Sequence, residues 1–230
     1  MTRISYKRHR FPLTLIHHAV WLYFRFTRSL RDFEEMLVHR GVDVSYETTR
    51  AWTVKFRPRI AANLRRRKRP PSPRRHLDEV VSTIAGERVW IWRAVDGEGE
   101  VMDMIVQKRR DTGAAIRFLR RLLKNQHVEP EVIVTDGLRS YGAALQRLGL
   151  SDRYRPGRLR DNNRAENSRL SIRRQERKMP GFKSRSSAQR FFETHAAVCN
   201  TFNIQQHLLS RGAMRVLRAR SESLWSGAVA

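Results

Sequence analysis

Cysteine is nearly absent: Cys199 stands alone among 230 residues. A single thiol can neither close a disulfide within the chain nor build a thiolate zinc site, and it suits a reducing cytoplasm. Long apolar runs are missing as well, none approaching the ~20 residues of a membrane span. The basic start, MTRISYKRHRFPLTL, lacks the apolar stretch and small-residue cleavage site expected of a signal peptide. Acid is scarce: 22 Asp and Glu face 47 Lys and Arg, a net charge of +25. That excess makes the bare chain repel itself and calls for a polyanionic partner. Its basic residues are spread along the whole chain instead of lining one amphipathic helix, which favours nucleic acid and argues against a membrane. Arginine predominates over lysine, and its planar fork suits phosphate and guanine.

Residues 1–64 read as helical. PLTLIHHAVWLYFRF, from Pro12 to Phe26, places Leu15, Ala19, Leu22 and Phe26 at helical spacing. The adjacent His17 and His18 cannot face one metal from a helix. Ser29 is placed to cap SLRDFEEMLVHRG, in which Leu30, Phe33 and Leu37 form a stripe and Gly41 marks the end. The next helix opens at Ser45 and is expected to turn Glu47, Thr48, Arg50 and Lys55 outward while Ala51, Trp52 and Val54 pack. Helix, glycine-bearing turn, helix with a polar opening is the layout of a helix-turn-helix, and the charge points it at DNA; a plain helical bundle is the alternative. Pro58 is expected to end or kink this helix. Arg65, Arg66, Arg67, Lys68 and Arg69 run into a Pro-rich stretch, so residues 65–75 read as a semi-rigid linker that tracks phosphates.

From residue 76 the character changes. HLDEVVSTI, RVWIWRAVD and EVMDMIVQ form a three-strand meander. A helix from Asp111 to about Gln126 carries the stripe Ala115, Phe118, Leu119 and Leu122. Glu131 to Thr135 is a fourth strand ending at Asp136-Gly137, a helix with Leu138, Tyr141, Leu145 and Leu148 follows, and Ser151 to Tyr154 is a short fifth strand. This order predicts an α/β domain over 76–184, a mixed sheet flanked by helices, with a helical extension over 185–230. Reactive groups gather at strand ends in such sheets. Asp78 lies on the first strand and Asp136 at the end of the fourth. Asp78 reads equally as an edge-strand carboxylate facing solvent, and Asp136 as the first residue of an Asp-Gly turn. Asp96 and Asp103 compete with them, Asp96 reading as a hairpin residue. Glu166 sits among Arg160, Arg164, Arg173, Arg174 and Lys183 on a segment polar almost all round, which is otherwise a solvated helix. Three carboxylates gathered by a fold need a divalent cation between them. An oxygen donor set suits Mg²⁺ or Mn²⁺ over zinc.

The strings HLDEV, ERVWIWRAVDGEGEVMDMIVQKRR, VIVTDGLRSYGAAL, NNRAENS, RRQERKMPGFKS and CNTFNIQQHL resemble the Asp-Asp-Glu transposases of the bacterial insertion-sequence-six family. So does the N-terminal HHAVWLYFRFTRSLRDFEEMLVHRGVDVSYETTRAW, and the likeness covers nearly the whole chain. It implies an RNase H-like fold with Asp78, Asp136 and Glu166 as a catalytic triad holding Mg²⁺ or Mn²⁺. Arg173 matches the basic residue that accompanies the family's glutamate; two helical turns on, it shares the Glu166 face and is suited to hold a phosphate. The resemblance further implies an enzyme that binds terminal inverted repeats and joins cleaved ends to target DNA. It would work as a dimer or higher homo-oligomer, in the cytoplasm and on the nucleoid. Base contacts are expected from the helix starting at Ser45, and backbone contacts from the basic arm with Arg164, Arg174 and Lys183. Arg75 departs from the pattern, standing where the family often has tryptophan. Arg169-Leu170-Ser171 replaces a usual His-Gln-Pro, and the gap from Asp136 to Glu166 is shorter than in many members. None of these removes a carboxylate. A DNA-binding remnant that does not cut, and an RNase H-like nuclease that cuts without joining, are the alternatives.

Overall fold

The computed structural model describes residues 3–26, 28–66, 70–126, 128–157, 181–202 and 210–230. The chain divides into two compact units, Met1–Lys68 with Glu193–Ala230, and Arg69–Phe192.

The first unit opens with α1 (Leu13–Arg25), α2 (Leu30–Val38) and α3 (Tyr46–Arg66). Ser29 Oγ accepts from the Asp32 amide and the Asp32 carboxylate accepts from the Ser29 amide, both at 3.1 Å, so two orphan donors at the start of α2 are satisfied. α2 ends at Val38 and the turn after it closes on Gly41, whose φ of +73° is a left-handed conformation that costs little only for glycine. The Ser45 hydroxyl accepts from the Thr48 amide at 3.3 Å and opens α3.

Two expectations shift on α3. Pro58 does not end the helix, which runs on to Arg66. Trp52, Phe56, Ile60 and Leu64 flank Pro58 and are each at most 2% exposed. Each buried side chain contributes about 1.5–3 kcal/mol, which together outweighs the roughly 3 kcal/mol a mid-helix proline costs. Pro58 itself lies on the exposed side. Ala51 and Val54 do not pack either: the buried stripe is Thr49, Trp52, Thr53, Phe56 and Ile60, and Val54 is 50% exposed. On α1 the expected Ala19 and Leu22 are buried, joined by Ile16, Val20 and Phe24, while Phe26 is exposed.

The second unit is a sheet with helices. Its elements are β1 (Arg74–Ile84), β2 (Glu87–Asp96), β3 (Val101–Gln107), α4 (Thr112–Asn125), β4 (Val132–Thr135), α5 (Arg139–Arg147) and β5 (Tyr154–Pro156). Ser151–Arg153 is a 3-10 turn, so the fifth strand starts where the expected one stops. Strand order is β3-β2-β1-β4-β5, with β1 to β3 antiparallel and β4 and β5 parallel to β1. Parallel neighbours need crossovers, which α4 and α5 supply. This is the RNase H-like mixed sheet. The α4 stripe Ala115, Phe118, Leu119 and Leu122 packs in one core with Leu77, Trp92, Ala94 and Tyr141. The β1–β2 register sets Leu77 against Ala94, Asp78 against Arg93 and Glu79 against Trp92. Opposed residues share a face and successive ones alternate, so Glu79 looks toward α4 and α5 while Asp78 looks away.

Among the described residues two further helices follow, α6 (Arg185–Phe202) and α7 (Arg211–Val229). At the start of α6, the Gln189 side chain accepts from the Val106 amide at 2.8 Å and donates to the Met104 carbonyl at 2.7 Å, binding α6 to β3. In the helical unit, the Asn63 amide donates to the Ala228 carbonyl at 2.9 Å and the Tyr6 hydroxyl to the Val229 carbonyl at 2.7 Å.

Candidate active site

β1 is the central strand of the sheet, so Asp78 is not an edge carboxylate facing solvent; it is 2% exposed. A charge so buried must be paired. Arg93, its cross-strand neighbour with a fully buried side chain, donates to Asp78 Oδ2 at 3.0 Å.

Asp136 directly follows β4 and is exposed. Here the turn reading holds: Asp136 Oδ1 accepts from the Leu138 amide at 3.2 Å, and Gly137 has a φ of +87°. The turn presents the carboxylate at the strand end. The parallel ladder pairs Arg74 with Val132, Arg75 with Ile133 and His76 with Val134. Carried two residues further, that register sets Asp78 level with Asp136 on strands ~4.8 Å apart. Both charges act on the same neighbours, raising Glu79 and Tyr141 alike.

Glu79 escaped the sequence reading, although consecutive carboxylates in an apolar strand were a signal. Its side chain is almost wholly buried, and Arg110 Nε donates to its Oε1 at 2.8 Å. The Arg110 guanidinium in turn lies 4.9 Å over the Trp90 ring. Burial pushes the Glu79 carboxyl up, the hydrogen bond from Arg110 pulls it back, and the charges of Asp136 and Asp78 raise it again. Tyr141 on α5 is fully buried; burial first, then the charges of Glu79, Asp78 and Asp136, hold its hydroxyl well above the ordinary range. Near the two aspartates, then, a buried Glu79 carboxylate is held by the more exposed Arg110 guanidinium.

The competing carboxylates have structural duties. Asp96 Oδ1 accepts from the Glu98 and Glu100 amides at 3.0 and 2.9 Å and closes the β2–β3 hairpin. Asp103 Oδ2 accepts from Arg121 at 3.1 Å and Asn125 at 3.2 Å, binding β3 to α4.

Glu166, Arg164, Arg173 and Arg174 lie outside the described residues, as do Arg67, Lys68 and Arg69. Among the described residues no three His, Cys, Asp or Glu side chains group to hold a metal ion. Asp78 and Asp136 offer oxygen alone, a hard donor pair that fits Mg²⁺ or Mn²⁺ and needs further oxygen ligands.

Of the expected DNA contacts, Ser45 and Thr48 have their hydroxyls 3.0 Å apart within the helix cap. Glu47 is exposed and accepts from the Tyr46 hydroxyl at 3.1 Å. Arg50 is exposed, and the exposed Lys55 Nζ lies 2.8 Å from His9 Nε2. Arg65 donates to the Glu193 carbonyl at 2.8 Å, and Arg66 and Lys183 are exposed. Among the described residues no helix is long and apolar enough to cross a membrane.

Residues 72–205 match a family model described as a DDE domain. The transposase for insertion sequence-like element IS431mec of Staphylococcus aureus is 30% identical over 156 residues, 68% of this chain and 68% of that one. The transposase for insertion sequence element IS257 in transposon Tn4003, also of Staphylococcus aureus, is likewise 30% identical over 156 residues, with the same coverage of both chains. Among solved structures, a chain of the simian T-cell lymphotropic virus intasome in complex with PP2A regulatory subunit B56 gamma aligns with a TM-score of 0.39 at 15% identity. That alignment covers 59% of this chain and 50% of the other.

Proposed function

The chain belongs to the DDE transposases of the insertion-sequence-six family, enzymes that cleave DNA and transfer its strands, and we propose that Asp78, Asp136 and Glu166 are its catalytic triad. The observation that supports this is the β1–β4 register, which, continued two residues past His76 and Val134, brings the buried Asp78 level with the exposed Asp136. Arg93 holds the Asp78 carboxylate in one orientation, and the Asp136-Gly137 turn presents the second carboxylate at the strand end. Glu166 completes the set, and Arg173 grips a phosphate. Asp78, Asp136 and Glu166 would hold Mg²⁺ or Mn²⁺, which when bound would supply Lewis-acid stabilisation of the charge that develops on the reacting phosphate. Water attacks the phosphodiester at the element's end, the P–O bond to the leaving strand breaks, and a 3′-hydroxyl remains. That hydroxyl then attacks a target phosphodiester, losing its proton as the new P–O bond forms and the old one breaks. No residue becomes covalently attached to DNA.

The helical unit recognises the terminal inverted repeats. α2, the Gly41 turn and α3 act as a helix-turn-helix that offers Glu47, Arg50 and Lys55 to base edges. Ala51 and Val54 add an apolar centre to that face. Arg65 to Arg69, Arg164, Arg174 and Lys183 meet backbone phosphate. Joining two ends requires at least a dimer of this chain.

An end-cleavage and strand-transfer assay tests the proposal on wild type, Asp136→Ala and Glu166→Ala, with Mg²⁺, Mn²⁺ or EDTA. Both variants lose cleavage and joining yet keep repeat binding, and EDTA silences the wild type. Wild-type cleavage by Glu166→Ala, or full activity in EDTA, overturns it; cleavage without joined product identifies a nuclease instead.

A further inference from the structure

α7 is built in two unlike halves. Its C-terminal half is anchored in the helical unit: Ser221, Trp225, Ala228 and Val229 are buried. The Ser221 hydroxyl donates to the Thr201 carbonyl at 2.6 Å, and Trp225 meets Phe202 edge-on at 6.1 Å. Among residues 211–220, by contrast, none is buried, and Val216 is 68% exposed. Those ten positions carry Arg211, Arg215, Arg218 and Arg220, all exposed, and no acidic residue. No ion pair joins these arginines to any described residue.

Their placement runs against helix electrostatics. A helix N-terminus carries partial positive charge, so cations there are unfavourable and an anion is welcome. α2 and α3 follow the rule, with Asp32 and Glu47 in their first turns. α7 has no acid in its first turn and opens on Arg211. Ser210 Oγ caps the Ala213 amide at 3.2 Å, so the helix is well started despite the charge. Arg211, Arg215 and Arg218 follow the i, i+4, i+7 spacing of a single face and span about 10 Å of helix, roughly three phosphate steps along one DNA strand.

We propose that Arg211, Arg215 and Arg218 form a second, sequence-independent grip on duplex DNA, taking backbone phosphates across the N-terminal half of α7. It rests on the assignment of DNA as the partner of the helical unit, and it adds backbone contacts to the base contacts of α3. Phosphate there relieves both the unpaired arginines and the positive end of the helix. The same residues are consequently a burden on the free protein and an asset in the complex.

The test compares wild type, the triple variant Arg211→Gln/Arg215→Gln/Arg218→Gln and the triple lysine variant. Fluorescence anisotropy with a terminal-repeat duplex and a random-sequence duplex is run across a salt series. For the glutamine variant the slope of log affinity against log salt becomes shallower by about 0.9 for each phosphate no longer neutralised, up to ~2.7 for all three. Affinity for both duplexes falls by the same factor, on the order of tens to a hundredfold near physiological salt. Its thermal midpoint without DNA stays level or rises, because the dipole conflict is removed. The lysine variant keeps the wild-type slope. An unchanged slope in the glutamine variant overturns the proposal, as does an equally shallow slope in the lysine variant, or a lowered oligomeric state with no change of slope. Failure of the wild type to bind either duplex would refute DNA as the partner altogether, and is told apart in the same titration.

Discussion

Alanine at Asp78 and alanine at Asp136 will both stop strand transfer, yet they will cost the fold very different amounts. Asp78 is buried and faces Arg93, whose side chain is also fully buried, at 3.0 Å. Removing one partner of a buried ion pair leaves the other charge in a poor solvent, a loss of about 3–5 kcal/mol. Asp136 is exposed and makes one hydrogen bond within its turn, to the Leu138 amide; water replaces it, and the loss is about 0.5–1 kcal/mol. With about 2–4 °C of melting temperature per kcal/mol in a chain of this size, Asp78→Ala should melt roughly 6–20 °C below wild type. Asp136→Ala should fall by no more than ~4 °C on the same scale. Asp78→Asn keeps an acceptor for Arg93 and should recover part of the loss while remaining inactive. Melting is followed by circular dichroism at about pH 7.5, near the middle of the usual stability plateau, beside the strand-transfer assay. Equal midpoints for Asp78→Ala and Asp136→Ala would refute the reasoning, because the buried pair would then contribute nothing. Asp78→Ala is consequently a poor catalytic control, and Asp136→Ala a good one.

Two further outcomes concern the helical unit. His195 is fully buried with Nδ1 3.2 Å from the Phe24 carbonyl, and burial lowers its pKa to about 4. Its folded-state value lies below the unfolded value, so its contribution is complete above pH ~6.5 and is lost as pH falls toward 4, about 3 kcal/mol in all. Urea titrations between about pH 4 and 7 should show that loss, and His195→Gln should flatten it; an equally steep profile in the variant would exclude His195 as the cause. Burial pushes the Cys199 thiol up to about 12, with Sγ 3.4 Å from His195 Nε2. Cys199 should therefore resist thiol reagents at about pH 8 until urea unfolds the chain, and Cys199→Ser should retain strand transfer; rapid labelling of the folded protein would contradict this.

The amino-acid order alone determined whatever depends on neighbours a few residues apart. The α4 stripe, the Ser29 cap, the Gly41 stop and the strand meander were legible because local spacing and backbone preference produce them. The carboxylates Asp78, Asp136 and Glu166 stood out for the same reason, as charges on apolar strands or in a basic run. Tertiary packing decided the rest. Periodicity reports that a face is buried without naming what covers it, so the sequence left Asp78 on an edge or a central strand, and only the pairing of β1 with β2 and β4 put it at the centre of the sheet. That α3 does not end at Pro58 depends on the apolar residues on both sides of it, which are buried together. Ala51 and Val54 are apolar and by composition alone belong inside, and the phase of α3 against its partners turns them outward. Glu79 and Arg110 are 31 positions apart, and their pairing is a product of the folded sheet. Long-range contacts of this kind depend on which surfaces meet, and no local pattern in the chain encodes that choice.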